Sequence, residues 1–371
     1  MAVMGVASIT PALPLMAEHF GVTPTAMSMA VTMFTLPGIG LTPVAGILAD
    51  RYGRKAVLVP ALLLFGVAGV LCGFATSFEM LLVFRFLQGM GASPLGALYT
   101  SLIGDIFPDP QDRTRAMGYT SGVVGIGTAL FPLIGGGLAE IDWNWPFHLC
   151  VLAVLAALVS SKWLHAPRTG APEKLSKYIA SLAKLAWNPE TRIFFALIFI
   201  CFFIMYGPVI TFFPILADDR FNSSPGRIGI VLSASSVGII MISTQLLRLT
   251  NRFSYKKLLL FGGVFYMLSM GMIPFIKNQW LFVVPLFFFG TAHELCYPNL
   301  ATQLISVAPG SRRAGLLALN GTLLRVTQTV APVFFGLVLS LGGLDSVYFT
   351  GAFFGFLVIA LGKLLMIKYK D

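Results

Sequence analysis

Gly46-Ile47-Leu48-Ala49-Asp50-Arg51-Tyr52-Gly53-Arg54-Lys55 is a short charged turn between two long apolar runs. Its last six residues hold one acid, three bases and a glycine, with almost no charge for twenty residues on either side. A turn that short between two membrane-length segments must sit at a membrane face. The apolar runs that flank it are two of a series along the chain.

Composition fixes the class. Of 371 residues, 57% are hydrophobic and 11% charged, with mean hydropathy +0.85. A soluble domain carries about 25% charged residues, so a soluble protein is excluded. A helical span needs about 20 mostly apolar residues, and the chain has many such runs. Weakly alternating segments of about ten residues, the mark of a membrane barrel, are absent from the sequence. Helices also satisfy their own backbone polar groups in lipid. The expected fold is therefore an all-α membrane protein of about twelve transmembrane helices.

The first span ends near Ala17; the next five are expected at about 28–49, 56–76, 79–104, 114–138 and 145–163. The last six are expected at about 192–216, 227–248, 257–276, 280–306, 314–341 and 346–367. Residues 1 to about 17 lack a basic leader and a cleavage site. They read as a slightly short span, completed by upstream residues, tilt or local thinning.

Net charge is +10, but the bases are confined to short loops, which disfavours nucleic acid as a partner. Twenty of the 25 Lys and Arg fall on the Asp50 side of this topology. Three (Arg220, Arg227 and Lys277) fall on the other, and Arg85 and Arg325 remain inside spans. By the positive-inside rule, the Asp50 loop and both termini are cytosolic, in a multi-pass protein of the plasma membrane.

Between the sixth and seventh spans, residues 164–191 form a linker. Leu175, Ile179, Leu182 and Leu185 fall near helical spacing with lysines elsewhere, so an amphipathic helix lying on the membrane face is expected. The linker separates an N-terminal bundle, residues 1–163, from a C-terminal bundle, residues 192–371. The halves also echo each other. Leu48 to Lys55 lines up with Leu249 to Lys256 at an offset of 201 residues, and at that offset Phe20 meets Phe221, Pro24 meets Pro225, Gly89 meets Gly290 and Pro108 meets Pro309. One ungapped offset across several hairpins predicts two pseudo-symmetric six-helix bundles, an architecture of transporters.

Three motifs carry a family resemblance over essentially the whole chain. The stretch Gly46 to Lys55 matches a G-x-L-a-D-R-x-G-R-K signature. Arg85-Phe86-Leu87-Gln88-Gly89-Met90-Gly91 is similar to R-x-x-Q-G-x-G. Gly118, Gly127, Pro132, Gly135 and Gly136 follow G-x8-G-x3-G-P-x-x-G-G, with Phe131 where that motif has glycine. The chain resembles the major facilitator superfamily, and within it the twelve-span drug:proton antiporters. That resemblance implies a conformational latch at Gly46, Asp50, Arg51, Gly53, Arg54, Lys55 and Asp105, in which the acid at Asp50 meets the start of span eleven. It implies a part for Arg85 in proton coupling. It makes the span-five glycines an exporter motif, with Pro132 kinking the helix. Gly46 is expected to allow close helix approach, and Gly53 a tight turn.

The remaining intramembrane polar groups are few. Glu294, in span ten, is the only acid well inside a span. A carboxyl in low dielectric exchanges its proton nearer neutral pH, as a proton carrier must, and it could equally attract a cationic compound. Arg325 either pairs with Glu294 or lines the aqueous path. His293, one residue from Glu294, points elsewhere on the helix and reads as structural. Span seven is dense in rings (Phe194, Phe195, Phe199, Phe202, Phe203, Tyr206, Phe212 and Phe213). Most should face lipid, with Tyr206 the best candidate, beside Phe131, for a substrate cavity. Trp143-Asn144-Trp145 reads as an interface anchor. Cys72, Cys150, Cys201 and Cys296 lie singly in apolar runs without metal-ligand spacing.

No Gly-rich phosphate loop with Lys-Ser/Thr and no nucleophile–base pair stands out, so an enzyme is disfavoured, and no cofactor or metal is expected. The expected function is proton-driven export of small apolar or cationic compounds by alternating access. The alternative is a proton-coupled transporter of one defined metabolite. The partners are then a small-molecule substrate, protons and the lipid bilayer, with the chain acting as a monomer.

Overall fold

The computed structural model describes residues 1, 3–107, 109–164, 188–306 and 313–368. Described secondary structure is helical throughout. The linker helix expected within 164–191 and the Pro108–Pro309 match fall largely or wholly outside the described residues.

Among the described residues, ten helical stretches are long and apolar enough to cross a membrane. Two more passes complete the set. The last stretch, Arg313–Lys368, is 56 residues long. At about 1.5 Å per residue that is about 84 Å, against about 30 Å of hydrocarbon. Gly343, with φ 76° and ψ −179°, breaks it into an eleventh and a twelfth pass. The first pass is shorter and broken, as Met4–Ala7, a 3₁₀ turn at Thr10–Ala12 and Leu13–His19. Pro11 and Pro14 lack the N–H a continuous helix needs, and the Ser8 and Thr10 hydroxyls donate to the Met4 and Val6 carbonyls (2.6 and 2.9 Å).

The fourth pass is likewise not continuous. Phe78–Ala92 and Leu95–Ile106 are separated at Ser93-Pro94. The seventh runs from Pro189–Ile204 through a π-helical stretch, Met205–Phe212, to Phe213–Phe221. Pro208 lies in that wider coil, where its missing N–H and ring are accommodated.

The chain divides into two compact units: Met1–Glu173 with Ser224–Gly229, and Lys174–Ser223 with Ile230–Asp371. The 201-residue offset holds in their internal geometry. Gly21 (φ 61°) and Asn222 (φ 45°) are both left-handed residues after a helix. Ser77 and Asn278 both cap the next helix through their side chains. Gly53 and Ser254 are the non-helical residues of matching turns, and Gly53, at φ 94°, takes a conformation that favours glycine.

The matching extends to packing. A Cβ on Gly89 would fall on the Phe34 carbonyl, and one on Gly290 would fall on the Ser235 carbonyl. Phe34 and Ser235 are themselves 201 residues apart. Each pair sets two passes of one unit backbone to backbone, the close approach that small residues permit in lipid. In the second unit, Arg220 ends the seventh pass by donating to the Pro274 carbonyl (2.8 Å) and pairing with Asp345. It thereby ties the ends of three passes.

Three expectations are corrected. Gly46 makes no tight contact among the described residues of its unit: a Cβ there would meet nothing within 4 Å. The span-seven rings do not mainly face lipid. Phe194, Phe202, Phe203, Phe212 and Phe213 are buried, and Phe195, Phe199 and Tyr206 are half-buried. The pass lies inside its unit, where Phe203 packs on Phe334, Phe335 and Phe354 at 5.0–5.2 Å. Trp143 is not an interface anchor either. It is buried against His19 and Phe20 (4.6 and 5.0 Å), while Trp145 is 44% exposed.

Gly89→Ala and Gly290→Ala are each expected to lose about 1–3 kcal/mol, the usual cost of overpacking. Gly46→Ala is expected to be neutral or to gain about 0.5–1 kcal/mol from helix propensity. Thermal melts of the purified variants in detergent check the contrast.

Candidate functional site

Among the described residues of the first unit, Arg85 is the most enclosed charge, at 0% exposure. It lies on Phe78–Ala92, one turn from Gln88 on the same face. Its Nε donates to the Ala30 carbonyl (3.0 Å), and its Nη1 to the Gly5 carbonyl (2.8 Å) and Gln88 Oε1 (2.7 Å). The guanidinium stacks on Phe34, 4.4 Å from the ring centre. Gln88 Nε2 in turn reaches Cys150 Sγ (3.1 Å). Nη2 is buried and has no partner among the described residues. The sequence marks Arg85 and Gln88; Ala30, Gly5 and Cys150 come from three other passes and carry no signal of their own.

At the Gly53 turn, Arg54 Nε donates to Asp105 Oδ2 (3.0 Å), with both side chains about 15% exposed. The helix break at Phe107 puts Asp105 at the end of its pass, so the pair joins the third pass to the end of the fourth. The Arg51 guanidinium lies over Tyr52 (5.4 Å). Asp50 is in the helix Pro37–Tyr52; its side chain lies outside what is described.

In the fifth pass, Pro110–Ala139, the motif glycines divide by environment. A Cβ on Gly135 would strike the Ser8 backbone, and one on Gly136 the Pro225 carbonyl. Gly229 has the same relation to the Pro132 carbonyl. Among the described residues Gly118 is open, and Gly127 is covered by the half-buried Phe131 ring of its own helix. So Pro132, Gly135 and Gly136 form a close-packed face, which Gly118 and Gly127 do not share. Beside it, Glu140 Oε1 accepts from Ser224 Oγ (2.6 Å) and Gly226 N (3.1 Å), satisfying a helix start.

In the second unit, Glu294 is half-buried on Val283–Ser306, with the Ser243 hydroxyl of the eighth pass near its carboxyl. His293 points away from it. It is buried, with Nδ1 2.9 Å from the Tyr266 hydroxyl and its ring among Phe202, Phe289 and Tyr297. Arg325 Nη1 donates to Gln328 (3.2 Å) and lies within electrostatic reach of Tyr206. Among the described residues it makes no ion pair with Glu294. Tyr206 sits in the π-helical stretch, and the Thr211 hydroxyl donates to its carbonyl five residues back (2.6 Å). Such stretches mark functional sites frequently. Ser243, Tyr266 and Gln328 are not legible in the sequence; only the i, i+3 spacing of Arg325 and Gln328 hints at their contact. Among the described residues no cluster of His, Cys, Asp and Glu could hold a metal ion.

Known proteins resemble the chain over most of its length. A model described as Major Facilitator Superfamily matches residues 1–220 and 194–370. The quinolone resistance protein NorA of Staphylococcus aureus (strain COL) is 24% identical over 340 residues, covering 90% of this chain and 86% of NorA. Multidrug resistance protein 2 of Bacillus subtilis (strain 168) is 25% identical over 384 residues, covering 100% and 93%. Among solved structures, the nucleoside transporter NupG superposes with TM-score 0.80 at 11% identity, covering 100% of this chain and 98% of that one. A D-xylose-proton symporter superposes at 0.79 and 15%, covering 100% and 95%.

Arg85→Lys cannot span acceptors on three passes with one ammonium, and each acceptor left unpaired costs about 1–3 kcal/mol. It should lower the melting temperature by several degrees. Tyr266→Phe, which strands the His293 nitrogen, should cost about 1–3 kcal/mol without altering transport. Parallel melts and flux assays separate the two effects.

Proposed function

The chain belongs to the major facilitator superfamily and is a multi-pass secondary transporter; on that basis we propose that it exports small apolar or cationic compounds in exchange for protons. The observation that carries the reading is Glu294, a half-buried carboxyl in mid-pass with the Ser243 hydroxyl nearby and no cation paired to it among the described residues. A carboxyl so placed exchanges a proton at modest cost, and once ionised it offers a charge to a cationic substrate. Two relatives named for quinolone and multidrug resistance support export over uptake, as does the close-packed Pro132-Gly135-Gly136 face.

Transport then runs by alternating access, with the Gly53 turn and the Arg54–Asp105 pair acting in a conformational latch with Asp50, Arg51 and Lys55. Arg85 holds the first, second and fourth passes together through backbone carbonyls, and the two N–H groups of its Nη2 offer donors to water in the proton path. Tyr206, Arg325 and Phe131 contribute to the substrate cavity. The base-rich loops, with both termini, face the cytosol of a plasma membrane, and the chain works as a monomer.

Proteoliposomes with an acidic lumen test the coupling. A fluorescent hydrophobic cation should accumulate at least about tenfold faster than without the gradient, a difference of about 1.4 kcal/mol, and a protonophore should abolish the excess. Flux indifferent to the gradient would reject proton antiport. Glu294→Gln should melt like the unaltered protein and lose the gradient response; full coupled transport by that variant would remove Glu294 from the proton path.

A further inference from the structure

An apolar crevice of about 270 Å³ opens among the eighth, ninth and tenth passes, within the second unit. Phe253, Leu258, Phe261, Phe265, Phe287 and Met241 are among its lining, and of its eleven lining residues only Thr291 is polar. Phe261 and Met241 are 51% and 41% exposed, so the crevice is open at its side. Along the eighth pass it runs from the Phe253 turn to Met241, twelve residues. At about 1.5 Å per residue this is about 18 Å, close to one leaflet of a core about 30 Å thick.

The Phe253 end carries a dense positive charge. Arg248, Arg252, Lys256 and Lys257 fall within ten residues, and the sequence has no acid between Asp219 and Glu294. Arg248, Arg252 and Lys257 are exposed. The Arg252 guanidinium lies 5.8 Å from the centre of the Phe253 ring, and that ring lines the crevice. In the first unit, 201 residues earlier, the matching positions are Ile47, Arg51, Lys55 and Ala56, and Asp50 stands where the second unit has Asn251. The second turn has lost the acid and, at Tyr255, the base matching Arg54, and has gained Arg248 and Lys257.

We propose that this crevice binds an anionic phospholipid of the adjoining leaflet, its acyl chain lying between Phe253 and Met241 and its phosphate between Arg252 and Lys257. Basic groups at the membrane surface recognise anionic headgroups, and an apolar groove one leaflet deep excludes a polar ligand along its length. The two halves of the repeat thus put one turn to two uses. One copy keeps an acid among its bases; the other presents bases alone above a hydrocarbon slot.

The full chain, stripped of lipid in neutral detergent, is titrated with phosphatidylglycerol, with phosphatidylcholine of identical chains, and with glycerol 3-phosphate. Thermal stability reports binding. Phosphatidylglycerol should bind about tenfold or more tighter than phosphatidylcholine, the effect of two bases at a membrane surface, and glycerol 3-phosphate should give no shift. Arg252→Gln with Lys257→Gln should bring phosphatidylglycerol down to the phosphatidylcholine level. Phosphatidylglycerol brominated in mid-chain should quench a tryptophan placed by Phe261→Trp more than one placed by Phe275→Trp, which is 72% exposed and outside the crevice. Equal binding of the two lipids, an unaltered preference in the double variant, a full response to glycerol 3-phosphate alone, or equal quenching at the two positions would each overturn the proposal.

Discussion

Two helix crossings set the frame of this protein, and both rest on a missing side chain. Gly89 lies against the Phe34 carbonyl and Gly290 against the Ser235 carbonyl. In lipid there is no hydrophobic gain from pressing one apolar helix on another, so association depends on close contact and on internal hydrogen bonds. A glycine facing a carbonyl supplies the first. It brings two backbones near enough for the groups around them to meet. In the first unit this leaves Arg85, four residues before Gly89, within reach of carbonyls on the first and second passes. In the second unit it leaves Glu294, four residues after Gly290, beside Ser243 of the eighth pass.

The same frame has been put to different chemistry in the two units. At the position of Arg85 the second unit has Leu286, and at that of Gln88 it has Phe289. Its polar groups stand elsewhere, in the Tyr266–His293 pair and in Glu294. The first unit commits its buried polarity to backbone carbonyls, a fixed arrangement with several partners. The second holds a half-buried carboxyl near one hydroxyl, with no cation paired to it among the described residues. A buried guanidinium with three acceptors is suited to holding passes in register; a half-buried carboxyl is suited to changing its charge.

Several features are legible in the amino-acid sequence. The Gly53 turn, the 201-residue repeat and the isolation of Glu294 follow from local composition and spacing, and the structure adds Gly21 with Asn222 and Ser77 with Asn278 to the repeat. Other readings fail for one shared reason. Gly46 and Gly89 are both motif glycines, yet one is open and the other closed. Residue type points the rings of the seventh pass to lipid and Trp143 to the interface, although most of those rings and Trp143 are buried. When most of a helix is apolar on every side, the sequence does not mark the side that meets protein, because lipid and protein interior reward the same residues.

The class of protein, the number of passes, the duplication and the short roster of charges inside the membrane can all be read from the chain written out as a line. They depend on hydrophobic run length and turn chemistry, which are properties of contiguous residues. The partners could come only from the folded chain. Folding placed Arg85 on carbonyls 55 and 80 residues away, set Glu294 near the Ser243 hydroxyl, and turned Gln328 rather than Glu294 toward Arg325. Those choices depend on how far each helix is rotated about its axis and shifted along it. Rotation and shift are set by the sum of many weak contacts between segments distant in the chain, and no single stretch of residues encodes them.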